Sequence, residues 1–425
     1  MRILFLNSVF PGRFRSLAQA FGASQNNTVL FLAETGQKLA IPGVRRLRLA
    51  PPAPYESDDP AEKEIVTRLR RGARAGNALL SLRRNGFIPD IVCAAASMGG
   101  SFYVRDIFPK AFYVAQGDWF YNNGESHCFF TRGNPRPPAD FAPLRVCNLW
   151  EYNALGECQL AVTSSLWQRA QYPPALQRDI KVVPSGINTR FFMPGEEKKD
   201  GDATGDGVAD SWGCASNELV TFCGPMHDPA RGFDQFRKCL PHLLELRPNC
   251  LVVLAWLDIA QTGRKPGNGA DTPSECSETG KAMRRAVDIL GIDQSFRARV
   301  HLLGARSLKE YRAMLQHSTA HVYLAAPHVF STGLLEAMAC GSLVVASDTP
   351  PVREVVQDGV NGFLCDFWDH ENMAQKLADV LARAPQLGHV RRNARQTVLR
   401  SYDADVQTRR FMDLISASMK DRAEG

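Results

Sequence analysis

The sequence predicts an α/β protein built from two doubly wound parallel-sheet halves. Three observations lead there. Short apolar runs bounded by turn residues alternate with stretches of helical spacing along the whole chain. A polar stretch rich in Gly and Asp, GEEKKDGDATGDGVADSWGCAS at 195–216, separates one such series from a second. The length of 425 residues suits two domains of ordinary size.

The first series opens with Ile3, Leu4, Phe5 and Leu6, a buried-strand run broken by Pro11-Gly12. No small-residue cleavage site comes after it, so the start reads as a strand rather than a leader, and a cytoplasmic protein is expected. FRSLAQAFGAS has helical spacing, and NTVLFLAE is strand-like again. Further buried strands are expected at 90–93, 111–114, 160–163 and 180–184. Strands with helical stretches between them imply a parallel sheet covered on both faces. The second series has strands at 218–222, 250–255, 300–303 and 321–324, and closes with helices over 371–383 and 402–419. The Gly/Pro/Ser-rich stretch 261–280 reads as a disordered surface insertion. The expected organisation is a first domain over 1–192, a linker over 193–217 and a second domain over 218–401.

Composition narrows the function. The hydrophobic share of 44% is that of a soluble globular protein, and no apolar run approaches a membrane span. Fifty basic against 44 acidic residues give a charge of +6, too mild to suggest nucleic acid. The 11 cysteines include no C-x-x-C pair and sit in apolar surroundings, which reads as buried free thiol. The nine histidines lack metal-ligand spacing, so no metal site is expected.

Most of the functional information lies at 322–366, VYLAAPHVFSTGLLEAMACGSLVVASDTPPVREVVQDGVNGFLCD. It reads as a strand, a polar loop, a short helix carrying Glu336, a Gly stop and a second strand. A loop opening a helix offers free N–H groups to an anion. A carboxylate beside it can accept hydrogen bonds from a hydroxyl pair. Diphosphate plus ribose describes a nucleotide-sugar donor.

This block resembles the donor-binding region of retaining glycosyltransferases of the family-four type, the group 1 glycosyltransferases. The resemblance is carried by Leu335-Glu336-Ala337-Met338-Ala339-Cys340-Gly341, by Val344-Val345-Ala346-Ser347 and by Asp358-Gly359-Val360-Asn361-Gly362. It implies the GT-B fold: two Rossmann-like doubly wound domains facing a cleft, with a last helix, 402–425, crossing back onto the first. It also implies sugar transfer from a nucleoside diphosphate to a glycan or lipid-linked acceptor, with retention and without a metal or other cofactor. Glu336 would contact the donor ribose, and backbone groups of Ser331, Thr332, Gly333 and Leu334 the phosphate. The family has a first glutamate where this chain has His328, and a related subgroup with the same FPG-x-F start also lacks it. His328 either donates to a sugar hydroxyl or forms a wall of the pocket. Arg231, before Gly232, fits one of two phosphate-binding cations; the other position is Pro225.

Gly12 in Phe10-Pro11-Gly12-Arg13-Phe14 matches a glycine loop near the donor phosphate. Gly304 and Arg306 match a loop bordering the nucleobase. Asp118, in Gln116-Gly117-Asp118-Trp119-Phe120-Tyr121, is the best first-domain carboxylate, with Trp119 and Tyr121 as candidate stacking platforms. The usual first-domain histidine is absent from Ala94–Gly100, and His127 lies on a loop that the sequence does not locate. Ser164 or Ser165 reads as a helix cap. The arginines between Arg68 and Arg84 suggest either peripheral contact with an anionic membrane face or a solvated helix face. Three departures, at His328, Pro225 and the missing histidine, support an alternative: a degenerate sugar-nucleotide-binding partner or scaffold protein.

Overall fold

The computed structural model describes residues 1–36, 39–122, 130, 141–195, 218–224, 228–256 and 293–424. The chain divides into two compact units. Unit 1 is Met1–Gly186 with Ala404–Gly425, and unit 2 is Ile187–Asp403. The expected linker falls almost wholly outside the described residues, as do the insertion at 261–280, His127 and Pro225.

Unit 1 is organised on a seven-stranded parallel sheet. Its strands are β1 (Arg2–Leu6), β2 (Thr28–Ala33), β3 (Val44–Arg48), β4 (Ile91–Ala95), β5 (Phe112–Gln116), β6 (Leu160–Thr163) and β7 (Ile180–Val182). Their spatial order is β3-β2-β1-β4-β5-β6-β7. The register runs Ile3 to Val29 on one side of β1 and Ile3 to Ile91 on the other. Because side chains alternate along a strand, Ile3 and Phe5 enter one core while Leu4 and Leu6 enter another. Both faces are therefore apolar, as an interior parallel strand requires. The helices longer than one turn are α1 (Arg15–Gly22), α2 (Pro60–Arg84), α3 (Ala142–Glu157) and α4 (Leu166–Ala170). Ser165, not Ser164, caps α4 by accepting from Gln168 N at 3.0 Å.

Unit 2 repeats the plan with six parallel strands: β8 (Leu219–Cys223), β9 (Leu251–Trp256), β10 (Val300–Ala305), β11 (Ala320–Tyr323), β12 (Leu343–Ser347) and β13 (Phe363–Cys365). Their order is β10-β9-β8-β11-β12-β13. Its helices longer than one turn are α5 (Phe233–Leu246), α6 (Leu308–His317), α7 (Thr332–Ala339), α8 (His370–Arg383) and α9 (Gly388–Ser401). The last helix, α10 (Ala404–Glu424), belongs to unit 1, where it packs on α1. Arg395 on α9 donates to the carbonyls of Thr189, Phe192 and Ala339, which ties the segment after Gly186 to unit 2.

Within the two large sheets, two strands were not anticipated. β3 reads VRRLR, and its partly exposed edge position tolerates arginines that hide its strand character. β13 is only three residues long. The described cysteines are free, and Cys93, Cys239, Cys250, Cys340 and Cys365 are buried. No described helix is long and apolar enough to cross a membrane.

The basic stretch turns out to be part of α2, a 25-residue helix capped by Asp59. Several of its arginines have internal partners. Arg68 pairs with Glu64, Arg71 Nε meets Glu34 at 2.7 Å, Arg83 donates to Ile107 O at 3.0 Å, and Arg70 lies over the Tyr55 ring. These contacts tie four of the arginines to the protein itself.

Candidate functional site

Each sheet reverses its strand order once, between β1 and β4 in unit 1 and between β8 and β11 in unit 2. Open parallel sheets bind ligands outside the carboxyl ends of the strands at such a point. The residues singled out from the sequence fall around these two places or at their borders.

In unit 2 the loop leaving β11 is held firmly. Ser347 on β12 accepts from Ala325 N and donates to Ala325 O, each at 2.9 Å, and Thr349 Oγ1 donates to the same carbonyl. Ala326 N donates to Ala230 O at 2.8 Å, which joins this loop to the turn carrying Arg231. Gly232 packs against Leu324 in a left-handed conformation with φ of 69°. Gly224, at the end of β8, lies close to Arg231 as well. The structure thus gathers Arg231, the half-buried His328 and the start of α7 around the β8/β11 switch. Arg231 faces Asp228 at 3.7 Å, while Asp228 also caps its own turn through Ala230 N.

At α7 the four expected phosphate donors divide. Ser331 N is taken by Tyr323 Oη at 2.8 Å, and Leu334 N turns back to Ser331 O. Among the described residues no hydrogen bond takes up the N–H groups of Thr332 and Gly333, which are the ones left for an anion. Glu336 lies beneath them. Burial pushes its carboxyl up, while hydrogen bonds from Thr332 and Tyr311 oppose the shift. Tyr311, 2% exposed on α6, was not singled out from the sequence. Its signal was indirect, since Ser307 begins a capping box with Glu310 that fixes the phase of the helix carrying it.

Gly304 and Arg306 lie at the end of β10, the edge strand, separated from β11 by β9 and β8. Arg306 is paired with Glu310 at 3.2 Å across the first turn of α6. These two residues therefore stand at the border of the site, with α6 as their connection to Glu336.

In unit 1, Gly12 has φ of 50° and packs so closely on Asn7 that a Cβ would lie 2.4 Å from its Nδ2. That contact brings the loop after β1 over the strand ends. Asp118, after β5, pairs with Arg13 and accepts from Ser97, which lies just past β4. Its carboxylate is thus held among the ends of three adjacent strands. The backbone beneath it is clamped by Glu151, a fully buried residue of α3. Glu151 Oε1 accepts from Asp118 N at 3.2 Å, and Oε2 accepts from Tyr172 Oη at 2.7 Å. Gln168 Nε2 donates to Gly117 O at 2.9 Å. Burial drives the Glu151 carboxyl up to about 7, against the hydrogen bond from Tyr172 and the charge of Arg13.

Arg13, Glu151 and Tyr172 were missed as site candidates. Asn148, Glu151, Ala154 and Leu155 share the buried face of α3, so two polar residues on an apolar helical stripe were the available signal. Trp119, at 4% exposure, is core rather than a stacking platform.

Residues 25–192 match the Glycosyl transferase family 4 group, and residues 293–397 match Glycosyl transferases group 1. A D-inositol 3-phosphate glycosyltransferase of Segniliparus rotundus is 26% identical over 219 residues, 51% of this chain and 42% of that protein. An N,N'-diacetylbacillosaminyl-diphospho-undecaprenol alpha-1,3-N-acetylgalactosaminyltransferase of Campylobacter jejuni is 27% identical over 28% of this chain and 31% of its own length. The chain thus aligns with less than half the length of these curated relatives. Among solved structures, sucrose-phosphate synthase of Thermosynechococcus elongatus has a TM-score of 0.70 at 16% identity, covering 99% of this chain and 100% of that one. Anabaena HepE in complex with UDP has a TM-score of 0.66 at 16% identity, covering 98% and 100%. The chain thus has two parallel-sheet, Rossmann-like units of the GT-B kind, each containing a segment similar to a glycosyl transferase family model.

Proposed function

We propose that this chain transfers a sugar from a nucleoside-diphosphate donor to a glycan or lipid-linked acceptor, with retention of configuration and without a metal. The observation that carries the reading is the grouping at the β8/β11 switch. Two unclaimed N–H groups, of Thr332 and Gly333, open α7, Glu336 lies beneath them, and the Arg231 turn is hydrogen-bonded to the same loop. Helix N–H groups and an adjacent guanidinium suit a pyrophosphate, whose charge grows as the glycosidic bond breaks. Glu336, once ionised, accepts from the ribose hydroxyls. HepE, with the same fold, binds UDP and UDP-glucose, which makes a nucleoside diphosphate the first ligand to test.

Calorimetric titration with UDP and GDP tests the donor site. Glu336→Ala is expected to weaken binding by about 1.5–3 kcal/mol, the loss typical of a charge-assisted hydrogen bond. Equal affinity in the variant removes Glu336 from the site. Arg231→Ala is expected to reduce turnover while the melting temperature changes little, because the Asp228 pair at 3.7 Å is part-exposed and contributes little. An early-melting Arg231→Ala protein of full specific activity would instead make the residue structural.

A second reading is a nucleotide-sugar-binding partner without turnover, favoured by His328 standing where the family resemblance implies a carboxylate. Nucleotide binding with no consumption of any donor across a sugar panel selects that reading. Membrane contact through 68–84 would rest on the exposed Arg70, Arg74 and Arg84. At about 1 kcal/mol each, these give weak attachment, which co-sedimentation with anionic vesicles would measure.

A further inference from the structure

Tyr311 stands where two parts of the β8/β11 site meet. Its ring shares a buried cluster with Leu334, Leu335 and Met338 of α7, and it meets the Phe192 ring edge-on with centroids 6.1 Å apart. The residue is 2% exposed, so its hydroxyl needs a partner inside the protein. That partner is the Glu336 carboxyl, to which the hydroxyl donates. The same oxygen reaches the opening of α7. A Cβ built on Gly333 would lie 3.5 Å from Tyr311 Oη and 3.4 Å from Ser331 Oγ. One phenol oxygen thus borders both Glu336 and a residue whose N–H group is unclaimed. Tyr323 makes the complementary contact, its Oη accepting from Ser331 N at 2.8 Å.

An untethered carboxylate near a helix start bonds to the free N–H groups there, as in a capping box, and would compete with a phosphate for them. A hydroxyl anchored in the core removes that competition. It keeps the carboxyl beside the N–H groups of Thr332 and Gly333 rather than on them, and among the described residues those groups have no backbone partner.

We propose that Tyr311 is a positioning residue of the donor site: its hydroxyl holds the Glu336 carboxylate toward the ribose and leaves the Thr332 and Gly333 N–H groups to the diphosphate. This rests on the reading of α7 as a nucleotide site and names the group that presets it.

The same hydrogen bond favours the ionised carboxylate, against the burial that disfavours it. Thr332 supplies a second such bond. The other groups facing the pair are Cys223 at the end of β8 and Cys340 just after α7, and Cys340 is faced in turn by Arg312 of α6 and Arg395 of α9. Burial holds Tyr311 well above its ordinary value and pushes Cys340 up to about 12, so both stay neutral around neutral pH.

Calorimetric titration of the full chain with UDP and with GDP, over about pH 5 to 8, tests the role. Affinity in the unmodified chain is expected to rise with pH as Glu336 ionises. Tyr311→Phe keeps the ring, and should bind about ten-fold more weakly at neutral pH. Its rise should move to higher pH, because the carboxyl has lost a donor. Glu336→Gln should lack that rise, any slope left being that of the nucleotide's own phosphate. Adding Tyr311→Phe to Glu336→Gln should then cost less than it does alone. A merely structural tyrosine would lower the melting temperature and leave the pH profile in place. Equal affinity and an unmoved profile in Tyr311→Phe overturn the proposal while nucleotide binding stands. A full rise retained in Glu336→Gln overturns it too, and so does a Tyr311→Phe chain that fails to fold. Binding of neither nucleotide by the unmodified chain overturns the donor-site reading and this role together.

Discussion

Glu151 and His321 are buried titratable side chains, one in each unit, and their stability effects have opposite sign. Glu151 has its folded-state value raised to about 7 by burial. The unfolded chain releases this proton near its ordinary value of 4.5, the folded chain only near 7. Stability from this group is therefore complete below about pH 4.5 and is lost as pH rises through about 7. The groups facing it are Tyr172, Arg13 and, from α2, Arg68. Glu151→Gln keeps an oxygen for Asp118 N and removes the charge, so its melting temperature is expected to stay flat across that window and to exceed that of the unmodified protein at pH 8. Parallel curves for the two proteins would mean that Glu151 does not titrate there. His321 behaves oppositely. Burial lowers it to about 4, and its Nδ1 is hydrogen-bonded to Thr221 Oγ1 at 2.8 Å. Stability from it is present above about pH 6.5 and lost as pH falls through about 4. Neither residue was legible as a titrating group. Both interrupt apolar periodic runs, and the sequence does not show that they are buried with partners.

At the scale of elements, the interior strands were readable because burial on both faces requires unbroken apolar runs. α2 was harder, because its buried stripe is Gly72, Ala75, Gly76 and Leu79, mostly small residues with little hydrophobic signal. Their size is a packing requirement: a Cβ at Gly76 would lie 2.9 Å from the Tyr103 ring, and one at Gly72 would lie 3.0 Å from Gly99 O. Of the candidate site, the start of α7 was readable from its motif. The joining of the Arg231 turn to the 324–331 loop was not, since it depends on a backbone hydrogen bond between elements distant in sequence. Gly232 makes that junction possible. It precedes α5 with φ of 69°, and an added Cβ would lie 2.4 Å from Leu324 Cβ and 3.0 Å from the Phe367 ring. Gly232→Ala is expected to cost about 2–4 kcal/mol from backbone strain together with overpacking. Urea denaturation measures it. UDP or GDP affinity should fall as well, because the turn carrying Arg231 cannot keep its contact with Leu324. A variant as stable as the unmodified chain would mean that the turn relaxes without strain.

At the scale of the whole molecule, unit 1 is discontinuous: its sheet is complete by Gly186, yet its core is closed by a helix that comes after unit 2 in sequence. Phe411 and Ile415 of α10 belong to the same buried cluster as Phe14, Leu17 and Phe21, and Met412, Leu414 and Met419 pack against it. Fully burying one such side chain is worth about 1.5–3 kcal/mol. Two buried and three partly buried apolar side chains therefore rival the 5–15 kcal/mol that typically separates a folded domain from its unfolded chain. Arg422 adds a hydrogen bond to Ala111 O at 3.4 Å, at the start of β5. Residues 1–186 expressed alone are therefore expected to melt without cooperativity and to expose an apolar face on α1. The same segment joined through a flexible Gly/Ser linker to 404–424 should regain a sharp transition, because the added helix restores the missing wall of the cluster. Amide NMR dispersion and thermal melting of the two polypeptides separate the outcomes. If 1–186 melts as sharply and as high as the joined form, α10 is a surface addition, and the core around Phe14 and Phe21 closes by other contacts.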